Sequence, residues 1–168
     1  PNVSIDLFYE RLKGNSETYY IYDSVPQFYY LTLRQFFLIF GYSVENGRIF
    51  SIICFILSIF AIYQLARLFL NKSSSLMTSG IIAINPYLLW MANETRIAIF
   101  LVLMSVINIF FFVKLITTKK NYLHYLMLIF NILLLTIYPL TISLIVGQII
   151  FIIYKYIFLK EKNIKIFI

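Results

Sequence analysis

The chain has 168 residues, of which 61% are hydrophobic, 19% aromatic and only 12% charged, and its mean hydropathy is +0.86. A soluble domain runs near 45–50% apolar and about 25% charged, so an ordinary globular domain and a disordered tail are both excluded, and lipid is the solvent for most of the chain. The balance of 14 Lys+Arg against 7 Asp+Glu leaves +7; the aromatics lie in apolar runs and not among the Arg and Lys residues, so nucleic acid is discounted as a partner and the excess is read as membrane topology.

Residues 1–25 are polar and aromatic, contain Asp6, Glu10, Glu17 and Asp23, and read as a loop outside the membrane. The sequence opens on Pro1 with no signal peptide or leading hydrophobic helix, so a first transmembrane helix is expected upstream. Residues 26–42 read as an interfacial or re-entrant helix: Tyr29, Leu33, Phe36, Phe37 and Phe40 recur at helical spacing, while Thr32, Arg34 and Gln35 interrupt the other side. Its apolar run is about 15 residues, short of the roughly 20 that a span requires.

Apolar runs over 48–70, 76–92 and 97–116 then read as spans, the second carrying the helix-perturbing pair Asn85-Pro86. The stretch 122–159 would be roughly 57 Å long as one helix, too long for one crossing, and divides at Tyr138-Pro139 into 122–138 and 140–159. Residues 160–168 read as a basic cytoplasmic tail that leads toward another apolar segment. The expected fold is all-α: a polytopic transmembrane bundle of about five helices over 48–159, with an N-terminal outer loop and an interfacial helix. Cys54, alone and mid-run in SIICFILSIF, is expected as a small packing residue, and no disulfide or thiolate metal site can be built within the chain.

Alternating crossings put Arg67, Lys72, Lys114, Lys119, Lys120, Lys155, Lys160, Lys162 and Lys165 on one side with only Glu161 among the acids. The positive-inside rule makes that side cytoplasmic. The opposite side holds Asp6, Glu10, Glu17, Asp23, Glu45 and Glu94 together with Arg11, Lys13, Arg34, Arg48 and Arg96. Two readings fit this asymmetry: acids are common in any polar outer loop, and carboxylates gathered over a bundle can do chemistry. Glu94 and Arg96 favour the second, because charges at a helix junction cost roughly 2.5–3.5 kcal/mol each if they face lipid at depth and so belong on a cavity, a partner or the interface.

Several chemistries drop out. Gly14, Gly41, Gly47, Gly80 and Gly147 are scattered and form no phosphate cradle, and no G-x-S-x-G elbow occurs. His124, the only histidine, starts a span on the cytoplasmic side far from the acids, so no metal site or triad is expected. What remains is a carboxylate able to act as general base toward a hydroxyl and an arginine able to hold a phosphate, with no cofactor needed. That set suits transfer of a group from a lipid phosphate; it also suits a transporter with an acidic vestibule.

The stretches Val25-Pro26-Gln27-Phe28-Tyr29-Tyr30-Leu31, Phe40-Gly41-Tyr42-Ser43-Val44-Glu45 and Arg48-Ile49-Phe50-Ser51 resemble, at matching spacing, the pattern H-P-P-L-Y-Y-L, F-G-x-S and R-L-P-S of the GT-C membrane glycosyltransferases, the dolichyl-phosphate-mannose–protein mannosyltransferase and aminoarabinose-transferase-like group. The run from Asn85 to Arg96, NPYLLWMANETR, is similar to that group's S-P-F-L-L-W-Y-S-Q-E-A-R, and Tyr138 falls where members carry Y-T-H-Y. The chain departs from the pattern at Val25, Gln27 and Pro139, and it contains no Asp-Glu dipeptide, the pair that usually supplies the catalytic acid.

The resemblance implies a glycosyltransferase that moves a sugar from a polyprenyl-phosphate donor to a glycan, lipid or protein acceptor at the outer face of a cell membrane. By position Asp6, then Glu10, is the candidate catalytic base, and the acid could also lie before Pro1. Substrate-binding candidates are Asp23, Tyr29, Glu94, Arg96 and Tyr138, with no metal and no cofactor; capping of the 26–42 helix is an equal reading for Asp23, and for Tyr29, Tyr30 and Trp90 belt or packing roles come first and sugar stacking second. The alternative is a transporter or flippase segment for an envelope polymer or lipid-linked sugar, lined by Asn108, Asn131 and Gln148, although interhelical hydrogen bonds are the favoured reading of these three.

Overall fold

The computed structural model describes residues 27–118 and 122–158, which form α1 (Gln27–Phe40), α2 (Val44–Ala66), α3 (Lys72–Ala83), α4 (Pro86–Ala92), α5 (Ile97–Thr118), α6 (Tyr122–Ile137), a 3-10 turn (Pro139–Thr141) and α7 (Ile142–Phe158). No strand occurs among the described residues. The 23-residue α2 and the 22-residue α5 are each long and apolar enough to cross a membrane, and α3 with α4 forms a third such unit bent by 62°. The helices α6 and α7 are apolar but shorter, at 16 and 17 residues.

Capping residues explain where these helices begin. Gly41 takes φ +92° and ends α1, its N–H donating to the Phe37 carbonyl at 2.8 Å. Ser43 then caps α2, its Oγ accepting from the Asn46 N–H at 3.0 Å, while the Asn46 amide donates to the Phe40 and Gly41 carbonyls at 2.7 and 2.9 Å. α2 therefore starts at Val44, ahead of the expected 48, because its first turn is polar. α3 likewise starts at Lys72 and not 76: Asn71 Oδ1 accepts from the Ser74 N–H at 2.8 Å, and the serines expected in a loop form the first turn. The apolar run over 76–92 is two helices, divided at the helix-perturbing pair Asn85-Pro86. Asn85 Oδ1 accepts from the Tyr87 and Leu88 N–H groups at 3.0 and 3.2 Å, and Pro86 at the first helical position has no N–H to leave unpaired.

α2 and α5 run parallel and make the most extensive helix contact, with Phe50 and Phe100 ring centroids 6.0 Å apart near their N-terminal ends. Small buried residues on α2, Gly47, Ser51, Cys54 and Ser58, let the backbones approach. α6 returns antiparallel to α5, shown by Phe111 against Phe130 at 5.3 Å and Asn108 against Asn131. α7 runs parallel to α5, with Gln148 beside Asn108 and Phe151 beside Phe112.

Burial divides into two clusters. The larger joins Tyr29, Leu33 and Phe37 of α1 with Phe50, Ala92, Phe100, Leu134 and Ile137; the smaller joins Phe112 and Leu115 with Leu123 and Met127. Between them Asn108 Nδ2 donates to Asn131 Oδ1 at 2.7 Å and Asn108 Oδ1 accepts from Gln148 Nε2, so three helices share one polar contact. α1 lies across the larger cluster, against α2 and α6. Phe40, expected on the buried stripe of α1, is 60% exposed and stacks on Phe36 at 4.4 Å, because the helix end runs past the core.

Candidate functional site

The parallel α2 and α5 put their first turns together. A Cβ on Gly47 would stand 2.7 Å from both Thr95 Cγ2 and Thr95 Oγ1, so the 93–96 turn lies directly against the start of α2. Ile137 belongs to the same buried cluster as Tyr29, Ala92 and Phe100, which brings Tyr138 to this end of the bundle as well. Glu45 and Glu94, the acids of the described residues, are both here, with Arg48 and Arg96. The opposite end carries Arg67, Lys72, Lys114 and Lys155, and no acid among the described residues.

The turn between α4 and α5 is built tightly. Asn93 closes α4, its backbone N–H and its Nδ2 both donating to the Leu89 carbonyl, at 3.3 and 2.9 Å. The Arg96 N–H donates to the Glu94 carbonyl at 2.8 Å, and the Arg96 Nε pairs with Glu94 Oε2. The guanidinium carbon stands 5.8 Å from the centroid of the Trp90 ring, itself 6.0 Å from Tyr87. The Arg96 side chain is 64% exposed and that of Glu94 30%. Arg96 is thus tied at Nε and backed by an aromatic face, while a guanidinium's two Nη groups are its bidentate fork for a phosphate or carboxylate.

Tyr29 is 2% exposed, with its ring 5.3 Å from Tyr30, 6.2 Å from Phe50 and 5.7 Å from Phe100. Its hydroxyl is buried with no hydrogen-bond partner, and burial, reinforced by Tyr30 and Cys54, pushes the phenol well up, so it stays neutral. Tyr138 is 39% exposed, and its carbonyl accepts from the Thr141 N–H and Oγ1 at 3.0 and 2.7 Å. Asp6, Glu10 and Asp23 lie outside the described residues. Among the described residues no group of three His, Cys, Asp or Glu side chains comes together.

Three features escape a sequence reading. Trp90 meets Arg96 across a turn, where no helical spacing applies; Asn46 closes the α1–α2 corner from six residues away; and the Gly47–Thr95 approach is signalled only by a glycine at the head of an apolar run. The corner residues Gly41 and Ser43 and the pair Asn85-Pro86 have structural duties as caps and breaks, which accounts for those residue types without any substrate.

Residues 24–166 match the dolichyl-phosphate-mannose-protein mannosyltransferase family. No curated protein and no solved structure matches the chain. The match spans most of the sequence, so the chain belongs to that family, a membrane glycosyltransferase family of the GT-C type.

Proposed function

We propose that the Glu94–Arg96 end of the bundle is the reaction face of a transferase that takes a sugar from a polyprenyl-phosphate donor and passes it to a hydroxyl acceptor on the outer side of the membrane. In this reading the bundle crosses the membrane about five times, the Lys-rich end is cytoplasmic, and the 1–25 segment with its four carboxylates belongs to the outer side. A loop carboxylate, Asp6 by preference and Glu10 next, takes the acceptor's proton. The acceptor oxygen attacks the anomeric carbon as the bond from that carbon to the phosphate oxygen breaks, and the polyprenyl phosphate leaves with one more negative charge than it had in the donor. That growing charge is what a guanidinium at Arg96 stabilises more in the transition state than in the ground state.

The observation that carries this reading is the posture of Arg96, tied to Glu94 through Nε and backed by Trp90 on the mixed-charge end, in a chain of this family. Transport has less support: Asn108, Asn131 and Gln148, the residues that would line a path, bond to one another. The test is sugar transfer by full-length protein from a polyprenyl-phosphate-linked donor. Turnover should collapse in Asp6→Ala and in Arg96→Ala; undiminished turnover in both removes the assigned roles.

A further inference from the structure

We infer that Glu94 is a positioning residue for Arg96, holding the guanidinium so that its two Nη groups face an incoming lipid phosphate. The inference rests on the phosphate-binding reading of Arg96 and adds to it the means by which that side chain is aimed. Arginine has four side-chain rotors, and an exposed arginine on a turn samples many directions before it meets a ligand. Here three restraints act on it. Its backbone N–H is tied to the Glu94 carbonyl at 2.8 Å, its Nε meets the Glu94 carboxylate, and its guanidinium carbon lies 5.8 Å from the Trp90 centroid.

The atom used decides between two roles for the carboxylate. A carboxylate bridging both Nη groups would occupy the fork that a phosphate needs and would act as a competing counter-ion. The ion-pair contact falls at Nε, on the inner edge of the guanidinium, and leaves the terminal amines for another oxyanion. Glu94 Oε2 is itself buried and takes no hydrogen bond, so the carboxylate stands on the protein side with Arg96 as its ion-pair partner while the 64% exposed arginine faces outward. The hydrogen bonds from Asn93 to the Leu89 carbonyl hold the turn that sets this geometry.

Trp90 is the only tryptophan of the sequence, so its emission reports on Arg96 directly. The experiment titrates a polyprenyl monophosphate into the full chain in nanodiscs and follows Trp90 fluorescence, with the corresponding polyprenol as the phosphate-free control. A phosphate-dependent change is expected in the wild type, weakened about tenfold in affinity by Glu94→Ala and about threefold by Glu94→Gln, which keeps an oxygen beside Nε but not the full charge. Glu94→Ala should add nothing in an Arg96→Ala background, since the two residues act as one unit. Three results overturn the inference: wild-type affinity in Glu94→Ala, penalties of Glu94→Ala and Arg96→Ala that multiply, or tighter binding in both Glu94 variants, the mark of a competing counter-ion. Undiminished binding in Arg96→Ala is a different failure, which removes the phosphate reading of Arg96 and Glu94's role with it.

Discussion

The two ends of this bundle are built from the same apolar helices and differ in almost everything else. At the Glu94 end rings dominate: Phe50 stands 6.2, 5.4 and 6.0 Å from Tyr29, Phe36 and Phe100 between ring centroids, α1 lies across them, and capped corners bring acids and arginines together. At the other end a smaller cluster of Phe112, Leu115, Leu123 and Met127 closes the bundle, and the charges described are cations, with Lys114 Nζ 4.7 Å from the centroid of Phe110. A cation-only rim is what electrostatics asks of any end facing anionic lipid. Mixed charge, with an ion pair set in a capped turn, asks for a further reason, and that difference is the ground for proposing chemistry at the Glu94 end.

The largest effect should come from exchanging one charge at each end. Arg96→Ala should lower sugar transfer by about 100-fold or more with helical content unchanged, as expected when a stabiliser of developing charge is removed, while Lys114→Ala should stay within about twofold. Equal losses would erase the contrast. Next, Gly47→Ala drives a methyl group into Thr95 and should cost about 1–3 kcal/mol of unfolding free energy in bicelles, partly restored by Thr95→Ala, which removes both atoms at 2.7 Å. Gly147→Ala in α7, where nothing stands within 4 Å, should be neutral or gain up to about 1 kcal/mol.

Between the two ends, Asn108→Leu strips partners from Asn131 and Gln148 together and should cost about 1–2 kcal/mol. The double variant Asn108→Leu/Gln148→Leu should recover part of that loss, because the orphaned amide of α7 goes too. Asn85→Ala is the smallest of the expected losses, about 1 kcal/mol, through loss of the α4 cap; loosening the bend beside Trp90, it should also reduce transfer more than the same change at Asn71, the cap of α3 at the opposite end.

The all-α membrane bundle was legible because lipid leaves a backbone few options: apolar runs near span length must be helices, and α2 and α5 sit where hydropathy puts them. Helix starts were less legible. Val44 and Lys72 precede their apolar runs by four residues because first turns are polar and are defined by the cap, here Ser43 and Asn71. The amide contact among Asn108, Asn131 and Gln148 was foreseeable as interhelical bonding, since an amide at that depth needs a partner, although nothing in its spacing names which one. At the candidate site the proximity of Glu94 and Arg96 could be read from two positions in sequence, whereas Trp90 under Arg96 depends on how the 93–96 turn folds back.

The claim that phosphate chemistry belongs to the Glu94 end is tested most directly by photo-crosslinking. A polyprenyl monophosphate with a diazirine beside its phosphate is irradiated with the full chain in nanodiscs, and the labelled peptides are mapped by mass spectrometry. Labelling within residues 87–96, competed by unlabelled polyprenyl phosphate and abolished by Arg96→Ala, is the predicted result. Labelling concentrated within residues 110–125, around Lys114, would contradict it.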